Sequence, residues 1–166
     1  MSTKVHKAHT PKSLELAIVT VSTTRTLAED KSGHWLRRRA EKKHKVVFHD
    51  VVPDDKVFIA DTIRTVIEEH RAQVILVNGG TGISPSDVTI EAIRPMFEKE
   101  LSAFSALFAQ LSYEEIDSAA LLSRATAGIV GQTLIFCLPG SLNACKLAWK
   151  ELISGELGHI VKHMQE

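Results

Sequence analysis

Four short segments rich in apolar and β-branched residues set the fold class of this chain. They lie at residues 16–21, 46–52, 74–77 and 133–138. The first, Leu-Ala-Ile-Val-Thr-Val, carries no alternation of polar and apolar side chains. Such continuous apolar runs are typical of strands that are covered on both faces of a sheet. We therefore expect a sheet whose central strands lie between two layers of helices.

Helical patterns separate these strands. Val57, Ala60 and Ile63 recur at helical spacing after the second strand, and Ile90 and Ile93 do so after the third. Further helices are predicted at residues 35–43, 101–122 and 143–153. Strands that alternate with helices predict an α/β fold with a three-layer, doubly wound, mostly parallel sheet and helices on both faces.

The chain is of the length of one domain. Its 166 residues contain no internal repeat, low-complexity segment or linker. Residues 1–13 are predicted to form a disordered N-terminal tail, because they are polar, and residues 14–166 a single domain. No apolar run is long enough to span a bilayer, and the chain does not open on a secretory signal pattern.

The charge balance and the cysteines narrow the choice of partners and compartment. The formal net charge is zero, so no overall basic field draws the protein to nucleic acid or to a membrane. Cys137 and Cys145 have neither a disulfide framework nor a metal-ligand spacing, and both are predicted to be buried hydrophobic residues. These features favour a cytoplasmic protein without nucleic-acid or membrane partners.

Polar segments follow the ends of the predicted strands. They occupy residues 22–25, 53–55, 78–87 and 139–143. In open parallel sheets the ligand crevice lies beyond the carboxyl ends of the strands. We therefore expect these four segments to meet at one edge of the sheet and to form the functional site there.

The segment from Gly79 to Gly82, Gly-Gly-Thr-Gly, is the strongest single signal. Its three glycines allow positive φ angles and inward-facing amides, which suits a phosphate, and a helix starting soon after would aim its dipole at the same place. A tight strand-to-helix turn without a ligand explains the glycines equally well. The segment has neither the dinucleotide-binding pattern nor the lysine of a P-loop, so a standard Rossmann dehydrogenase and a Walker-type hydrolase are not indicated.

Two carboxylates flank this glycine segment in the predicted site. Asp54 follows the second strand and Asp87 follows the third. Each stands near the start of a predicted helix, where an aspartate is a common N-cap. Beside a phosphate, however, two carboxylates need a cation between them, and Mg²⁺ binds carboxylates together with phosphate oxygens. Asp54 and Asp87 are therefore either caps or the protein ligands of a magnesium ion.

Two further segments complete the predicted site. Ser123 and Arg124 precede the last strand, where they are placed either to bind a phosphate or ribose or, for Arg124, to pair with a surface acid. Pro139 and Gly140 form a sharp turn after that strand, whose backbone is expected to pass close to a flat ring.

In combination, these segments resemble the MoaB/MogA family of molybdenum cofactor biosynthesis. The resemblance extends over residues 16–152, with the blocks in the same order and at the same intervals. The blocks are Thr20-Val21-Ser22-Thr23-Thr24-Arg25, Glu29-Asp30-Lys31-Ser32-Gly33, Val52-Pro53-Asp54-Asp55, Asn78-Gly79-Gly80-Thr81-Gly82-Ile83-Ser84-Pro85-Ser86-Asp87-Val88-Thr89, Ser123-Arg124-Ala125 and Leu138-Pro139-Gly140-Ser141.

The resemblance implies a molybdopterin-binding, MogA-like fold that assembles as a trimer or hexamer. It also implies an adenylyltransferase that uses ATP and Mg²⁺, transfers AMP to the terminal phosphate of molybdopterin and releases pyrophosphate. By the same resemblance Asp54 and Asp87 are the catalytic and metal-binding residues. The implied nucleotide- and phosphate-binding residues are Gly79, Gly80, Thr81, Gly82, Ser84, Ser123, Pro139, Gly140 and Ser141. The implied substrate-binding residues are Ser22, Thr23, Arg25, Asp30, Ser32 and Gly33.

Three positions depart from the family pattern. Thr23 stands where active relatives often have an acidic residue, Ser86 where many have arginine, and Ala106 where a pocket-lining glutamate is expected. These departures keep a second hypothesis open, a non-catalytic oligomeric protein that binds pterin or nucleotide in the same pathway. An unrelated nucleotide-binding enzyme is a third. The helix faces around Phe97, Phe104 and Phe108 offer more apolar surface than a lone helix needs, which favours an oligomer.

Overall fold

The computed structural model describes residues 10–166, and the parallel strands of its sheet lie close to the predicted positions. The strands are β1 (Glu15–Val21), β2 (Lys45–Val52), β3 (Val74–Asn78), β4 (Lys99–Glu100), β5 (Thr126–Val130) and β6 (Thr133–Leu138). They form one sheet in the order β2-β1-β3-β6-β5-β4. The first four strands of this order are parallel, whereas β5 and β4 are antiparallel to their neighbours. The prediction of a mostly parallel sheet is confirmed.

Within residues 10–166, six helices cover this sheet. They are α1 (Lys31–Ala40), α2 (Lys56–Glu68), α3 (Thr89–Ile93), α4 (Ser102–Ile116), α5 (Leu142–Ala148) and α6 (Leu157–Met164). Short 3₁₀ turns lie at Leu27–Glu29, Arg94–Met96 and Asp117–Leu122, and a π-helical turn at Trp149–Ile153 extends α5. No helix within residues 10–166 is long and apolar enough to cross a membrane.

Successive side chains along each strand point to opposite faces of the sheet, so the core consists of two clusters, one on each face. In β1, Leu16 and Ile18 face a cluster that contains Trp35 of α1 and Phe108 of α4. Ala17, Val19 and Val21 face the other cluster, with Ile59 and Ile63 of α2 and Ile90 and Ile93 of α3. Because side chains alternate between faces along a strand, a continuous apolar run supplies both clusters at once. Helices on both faces confirm the predicted three-layer architecture.

The strand order places a ligand crevice at a defined point of the sheet. From β1 the chain crosses to β2 on one side and then to β3 on the other, so the direction of winding reverses between β1 and β3. In doubly wound sheets ligands bind at such a switch point, outside the carboxyl ends of the strands. The loops that follow β1 and β3 therefore border the expected site.

The structure excludes the capping alternative for Asp54 and contradicts the apolar surface expected around Phe104 and Phe108. Asp55, not Asp54, caps α2, because its carboxylate accepts a hydrogen bond from the Phe58 amide at 2.8 Å. Phe104 and Phe108 do not form an exposed face, because both lie in the core of their own chain. The predicted tail falls mainly on residues 1–9, which lie outside the described residues.

Candidate active site

A polar pocket of about 350 Å³ lies at the carboxyl edge of the sheet, where the sequence predicted the site. It is bordered by the segments that follow β1, β2, β3 and β6. The predicted site residues among its lining are Ser22, Arg25, Asp54, Gly79, Gly80, Thr81, Gly82, Asp87, Ser123, Pro139 and Gly140. Val21, Ser86 and Leu122 complete the lining. Segments that are distant in sequence are thus brought to one place by the topology of the sheet.

The carbonyl groups of the glycine loop, residues 79–82, are all bound from outside the pocket. Thr89 holds the first two: its hydroxyl donates to the Gly79 carbonyl at 2.7 Å and its amide donates to the Gly80 carbonyl at 3.0 Å. Arg124 holds the other two, with its guanidinium nitrogens 2.8–3.1 Å from the carbonyl oxygens of Thr81 and Gly82. Neither Thr89 nor Arg124 lines the pocket.

The fixed carbonyls determine the direction of the amides. In a trans peptide the carbonyl of one residue and the N–H of the next point in opposite directions, and the described residues contain no cis peptide. The amides of Gly80, Thr81 and Gly82 therefore face away from Thr89 and Arg124. None of these three amides donates to an acceptor within residues 10–166. Such a row of free amides binds anions.

Two glycines of the loop are required by its geometry. Gly79 and Gly80 have φ angles of +94° and +67°, in the left-handed region that favours glycine. A side chain at Gly79 would collide with the carbonyl oxygen of Val21, and one at Gly80 would collide with the Thr89 hydroxyl. The backbone of Gly79 also touches Gly140, whose added Cβ would lie 3.0 Å from the Gly79 Cα. The end of β1 and the loops after β3 and β6 therefore pack against one another.

Arg124 resolves one of the alternatives that the sequence left open. Its guanidinium forms an ion pair with Glu91 of α3, with a shortest N–O distance of 2.6 Å. The hydrogen bond from Arg124 lowers the pKa of the Glu91 carboxyl, so the pair stays charged. Arg124 thus pairs with an acid and, in addition, ties the glycine loop to α3.

Asp54 borders the pocket without capping a helix. Its Oδ2 accepts hydrogen bonds from both the amide and the hydroxyl of Thr23, each at 2.8 Å. Its Oδ1 faces the glycine loop, because a Cβ at Gly80 would lie 3.1 Å from it. The structure therefore removes the capping explanation for Asp54 and leaves one carboxylate oxygen directed at the loop.

Asp87 stands at the other end of the glycine loop. Its Oδ2 accepts a hydrogen bond from the Ser84 amide at 2.9 Å and would lie 2.7 Å from a Cβ at Gly82. The helix that follows, α3, is capped by Val88 without a side-chain bond. Asp87 is therefore not a helix cap either. Since α3 has only five residues, the predicted helix dipole adds little here, and the loop amides provide the positive end.

Several predicted site residues lie outside the pocket. Ser141 caps α5 by accepting a hydrogen bond from the Ala144 amide, and Ser84 contacts Asp87. Thr23 contacts Asp54 rather than the pocket. Ala106, one of the departures from the family pattern, is exposed on α4 and does not line the pocket.

Asp30, Ser32 and Gly33 form the buried start of α1. The Asp30 carboxylate accepts hydrogen bonds from the Thr20 hydroxyl at 2.6 Å and the Gly33 amide at 2.9 Å, and its Oδ2 lies 3.0 Å from His49 Nε2. The Ser32 hydroxyl donates to the Gly140 carbonyl at 2.9 Å. Burial alone would raise the pKa of the Asp30 carboxyl, but the bonds from His49, Thr20 and Gly33 outweigh it and lower that pKa. These residues do not line the pocket themselves, but the Ser32 bond fixes the backbone of Gly140, which does.

An Asp30→Ala protein is expected to lose about 3 kcal/mol of stability, because it loses an N-cap and leaves buried donors unpaired. The lowered pKa of Asp30 means that its contribution is complete above the ordinary carboxyl value of 3.8 and is lost as the pH falls below it. Urea unfolding of both proteins between neutral and acid pH checks this, with Asp61→Asn on the surface of α2 as the control. A stability difference that grew on acidification would contradict the role given to Asp30.

Thr89 closes one of the family blocks in the sequence but was given no role there, although it binds half of the carbonyls of the glycine loop. It is fully buried at the start of α3 and binds two loop carbonyls. The available signal was a polar residue in the first turn of a short apolar helix, directly after the loop. Glu91, the partner of Arg124, follows two residues later and gave no signal of its own.

Together, the fold and the pocket define a doubly wound α/β protein with a loop of free backbone amides between two carboxylates at its switch point. The comparisons agree with this class and narrow it. The family described as "Probable molybdopterin binding domain" matches residues 17–159. The chain therefore belongs to this family of molybdenum cofactor biosynthesis proteins, which includes MoaB and MogA.

Individual relatives are similar over nearly their whole length. Molybdenum cofactor biosynthesis protein B of Bacillus cereus is 44% identical over 96% of each chain. A molybdopterin adenylyltransferase of Pyrococcus furiosus is 41% identical over 100% of each chain. A crystal structure of a molybdenum cofactor biosynthesis protein B superposes with a TM-score of 0.90 at 43% identity, covering 93% of this chain and 98% of that one.

Proposed function

We propose that this protein is a molybdopterin adenylyltransferase, which transfers AMP from ATP to the terminal phosphate of molybdopterin and releases pyrophosphate. The observation that supports this most directly is the glycine loop, whose carbonyls are held by Thr89 and Arg124 so that its free amides border the pocket. The name of the Pyrococcus furiosus relative supports the same reaction.

The proposed reaction needs no strong general base. Its nucleophile is a phosphate monoester, which is largely dianionic at neutral pH because its second pKa is about 6. The barrier lies in bringing two polyanions together and in stabilising the additional charge at the α-phosphorus. The amides of Gly80, Thr81 and Gly82 would hold the transferred phosphate in line with the attacking oxygen, and Arg25 at the rim would attract the anions.

The two carboxylates beside the glycine loop fit a magnesium ion. Within residues 10–166, no three His, Cys, Asp or Glu side chains form a metal cluster on their own. Asp54 and Asp87 nevertheless present carboxylate oxygens to opposite ends of the glycine loop, and Mg²⁺ is commonly bound by one or two carboxylates plus substrate phosphates. When bound, Mg²⁺ would neutralise phosphate charge beside these two carboxylates.

The remaining roles follow from the positions in the pocket. Ser123, Pro139 and Gly140 line the pocket and are proposed to contact the nucleotide or the pterin, as is Ser22. Asp30, Ser32, Gly33 and Ser141 are proposed to act indirectly, because their bonds fix the backbone around the pocket.

Pyrophosphate release tests the proposed function. Purified protein with ATP, Mg²⁺ and molybdopterin is expected to release pyrophosphate, whereas ATP and Mg²⁺ without molybdopterin should release none. The competing hypothesis, a non-catalytic binding protein, predicts pterin binding without pyrophosphate. That result would refute the enzymatic function and leave the pocket as a binding site.

We also propose that the protein is a cytoplasmic homo-oligomer, a trimer or a hexamer. The support for the oligomer is a set of exposed apolar side chains on α4 and on the 3₁₀ turn after it. Among them, Leu107 is 49% exposed and Leu121 is 84% exposed. Sedimentation velocity at micromolar concentration is expected to show a single species larger than a monomer. A Leu107→Glu substitution should shift it toward the monomer, and a wild-type protein that is already monomeric would contradict the proposal.

A further inference from the structure

Thr23 binds Asp54 through both its backbone and its side chain. The Thr23 amide and the Thr23 hydroxyl each donate to Asp54 Oδ2 at 2.8 Å. The same hydroxyl oxygen accepts a hydrogen bond from the Asp54 amide at 3.1 Å. A hydroxyl can donate one hydrogen bond while it accepts others, so these three bonds are compatible. Thr23 thus contacts both ends of the Asp54 residue.

These bonds distinguish the two carboxylate oxygens of Asp54. Each oxygen has two lone-pair directions, and the two donors of Thr23 use both directions at Oδ2. Asp54 Oδ1 has no hydrogen-bond donor within residues 10–166 and faces the glycine loop, 3.1 Å from the position of a Cβ at Gly80. The carboxylate is therefore prepared to present one oxygen, Oδ1, to a cation or phosphate in the pocket.

The geometry points to Thr23 as a positioning residue that makes Asp54 a monodentate ligand through Oδ1. This inference rests on the proposed function, because it gives Asp54 a cation to bind. Thr23 itself does not line the pocket, so it acts through Asp54 and not on the substrate. Partners behind a metal ligand fix its orientation, and their loss typically weakens metal binding by about 10- to 100-fold.

The backbone around Asp54 is anchored independently of Thr23. Asp55 caps α2 through the Phe58 amide, and the Ser22 amide donates to the Val52 carbonyl at 2.8 Å. Removing the Thr23 hydroxyl should therefore leave the Asp54 carboxylate with only the bond from the Thr23 amide, and so loosen its orientation, without unfolding the loop. Thr23 is also exposed, so a valine there creates no buried cavity.

Three variants test the inference: Thr23→Val removes the hydroxyl at equal volume, Thr23→Ser keeps it, and Thr24→Val makes the same change one residue along. Thr24 is exposed and its hydroxyl has no partner within residues 10–166. Calorimetric titration of Mn²⁺ into protein with α,β-methylene-ATP, corrected by the same titration into the nucleotide alone, measures metal affinity without turnover. We expect Thr23→Val to weaken Mn²⁺ binding by about tenfold or more. Thr23→Ser and Thr24→Val should match the wild type, and all four proteins should melt at the same temperature.

The outcomes separate this inference from the proposed function. If the wild type binds Mn²⁺ with the nucleotide but Thr23→Val binds it equally well, the positioning role is wrong and the proposed function stands. If Thr23→Ser is as weak as Thr23→Val, the hydroxyl is not the cause and the inference also fails. If the wild type binds no Mn²⁺ in the presence of the nucleotide, both the inference and the magnesium-dependent function fail.

Discussion

Asp54→Asn and Asp87→Asn proteins are each expected to lose AMP transfer by a factor of about 10²–10³ or more, the scale of losing one preorganised charge-stabilising group. Asparagine has the shape of aspartate and retains an oxygen that can accept the bonds from Thr23 or Ser84. Only the negative charge facing the glycine loop is removed. The rate of adenylated molybdopterin formation at saturating ATP measures the effect, and the melting temperature shows that the fold is kept.

Asp55→Asn is the matched control for this experiment. It makes the same change at the next residue, outside the pocket, and asparagine caps a helix as well as aspartate does. Its activity and stability should equal those of the wild type. Full activity in Asp54→Asn or Asp87→Asn would remove the carboxylates from the mechanism.

A Gly79→Ala protein should show the second large effect, a loss of about 3 kcal/mol or more of stability. The methyl group must adopt the left-handed φ of +94°, which costs about 1–2 kcal/mol, and it collides with the Val21 carbonyl, which cannot move without disturbing β1. For a chain of this size the melting temperature should fall by roughly 6–12 °C. AMP transfer should also fall at temperatures where the protein is still folded, because the loop amides are displaced from the pocket.

Substitutions at two other glycines separate the cost of the left-handed backbone from the cost of the collision. Gly131 also has a positive φ, +56°, but open space lies around it, so Gly131→Ala should cost only about 1–2 kcal/mol. Gly155 has neither a positive φ nor a neighbour within 4 Å, and Gly155→Ala should leave stability unchanged or slightly increased. A Gly79→Ala protein as stable as Gly155→Ala would contradict the described loop geometry. Thermal unfolding of all three proteins makes the comparison.

The parallel part of the fold could be predicted because its strands are buried on both faces. The segment at residues 133–138 coincides with β6. A short run of six apolar or β-branched residues is typical of a strand that is buried on both faces. The antiparallel edge was missed: β4 has only two residues, and β5 contains Gly128, against which Phe97 packs. Helix α6 was also missed. Its hydrophobic pattern is short and follows a π-helical turn that breaks the helical period.

Helix starts were predicted less well than strands. Helix α1 begins at Lys31, earlier than the predicted Trp35, because Asp30 caps it from a buried position. Asp54 and Asp55 are adjacent, and the same residue type could cap the helix at either position; in the structure Asp55 is the cap and Asp54 is bound by Thr23 instead. Such choices depend on contacts between segments that are far apart along the chain.

The location of the candidate site could be predicted from the strand ends alone, but the internal support could not. The glycine loop, Asp54 and Asp87 follow strands directly and could be assigned to the carboxyl edge. The clamps by Thr89 and Arg124 require knowledge of side-chain directions across the loop. Likewise, nothing in the sequence places Asp30 next to His49, because that contact depends on the register between β1 and β2.

The most direct test of the proposed adenylyl transfer follows the two ends of ATP separately. Purified protein is incubated with molybdopterin, Mg²⁺ and ATP that is labelled either at the α-phosphorus or at the γ-phosphorus. The account predicts that the α-label appears in a molybdopterin product in a one-to-one ratio, while the γ-label leaves as pyrophosphate. A γ-label in the pterin product would instead indicate a kinase, and labelled ATP that remains intact beside bound pterin would contradict catalysis altogether.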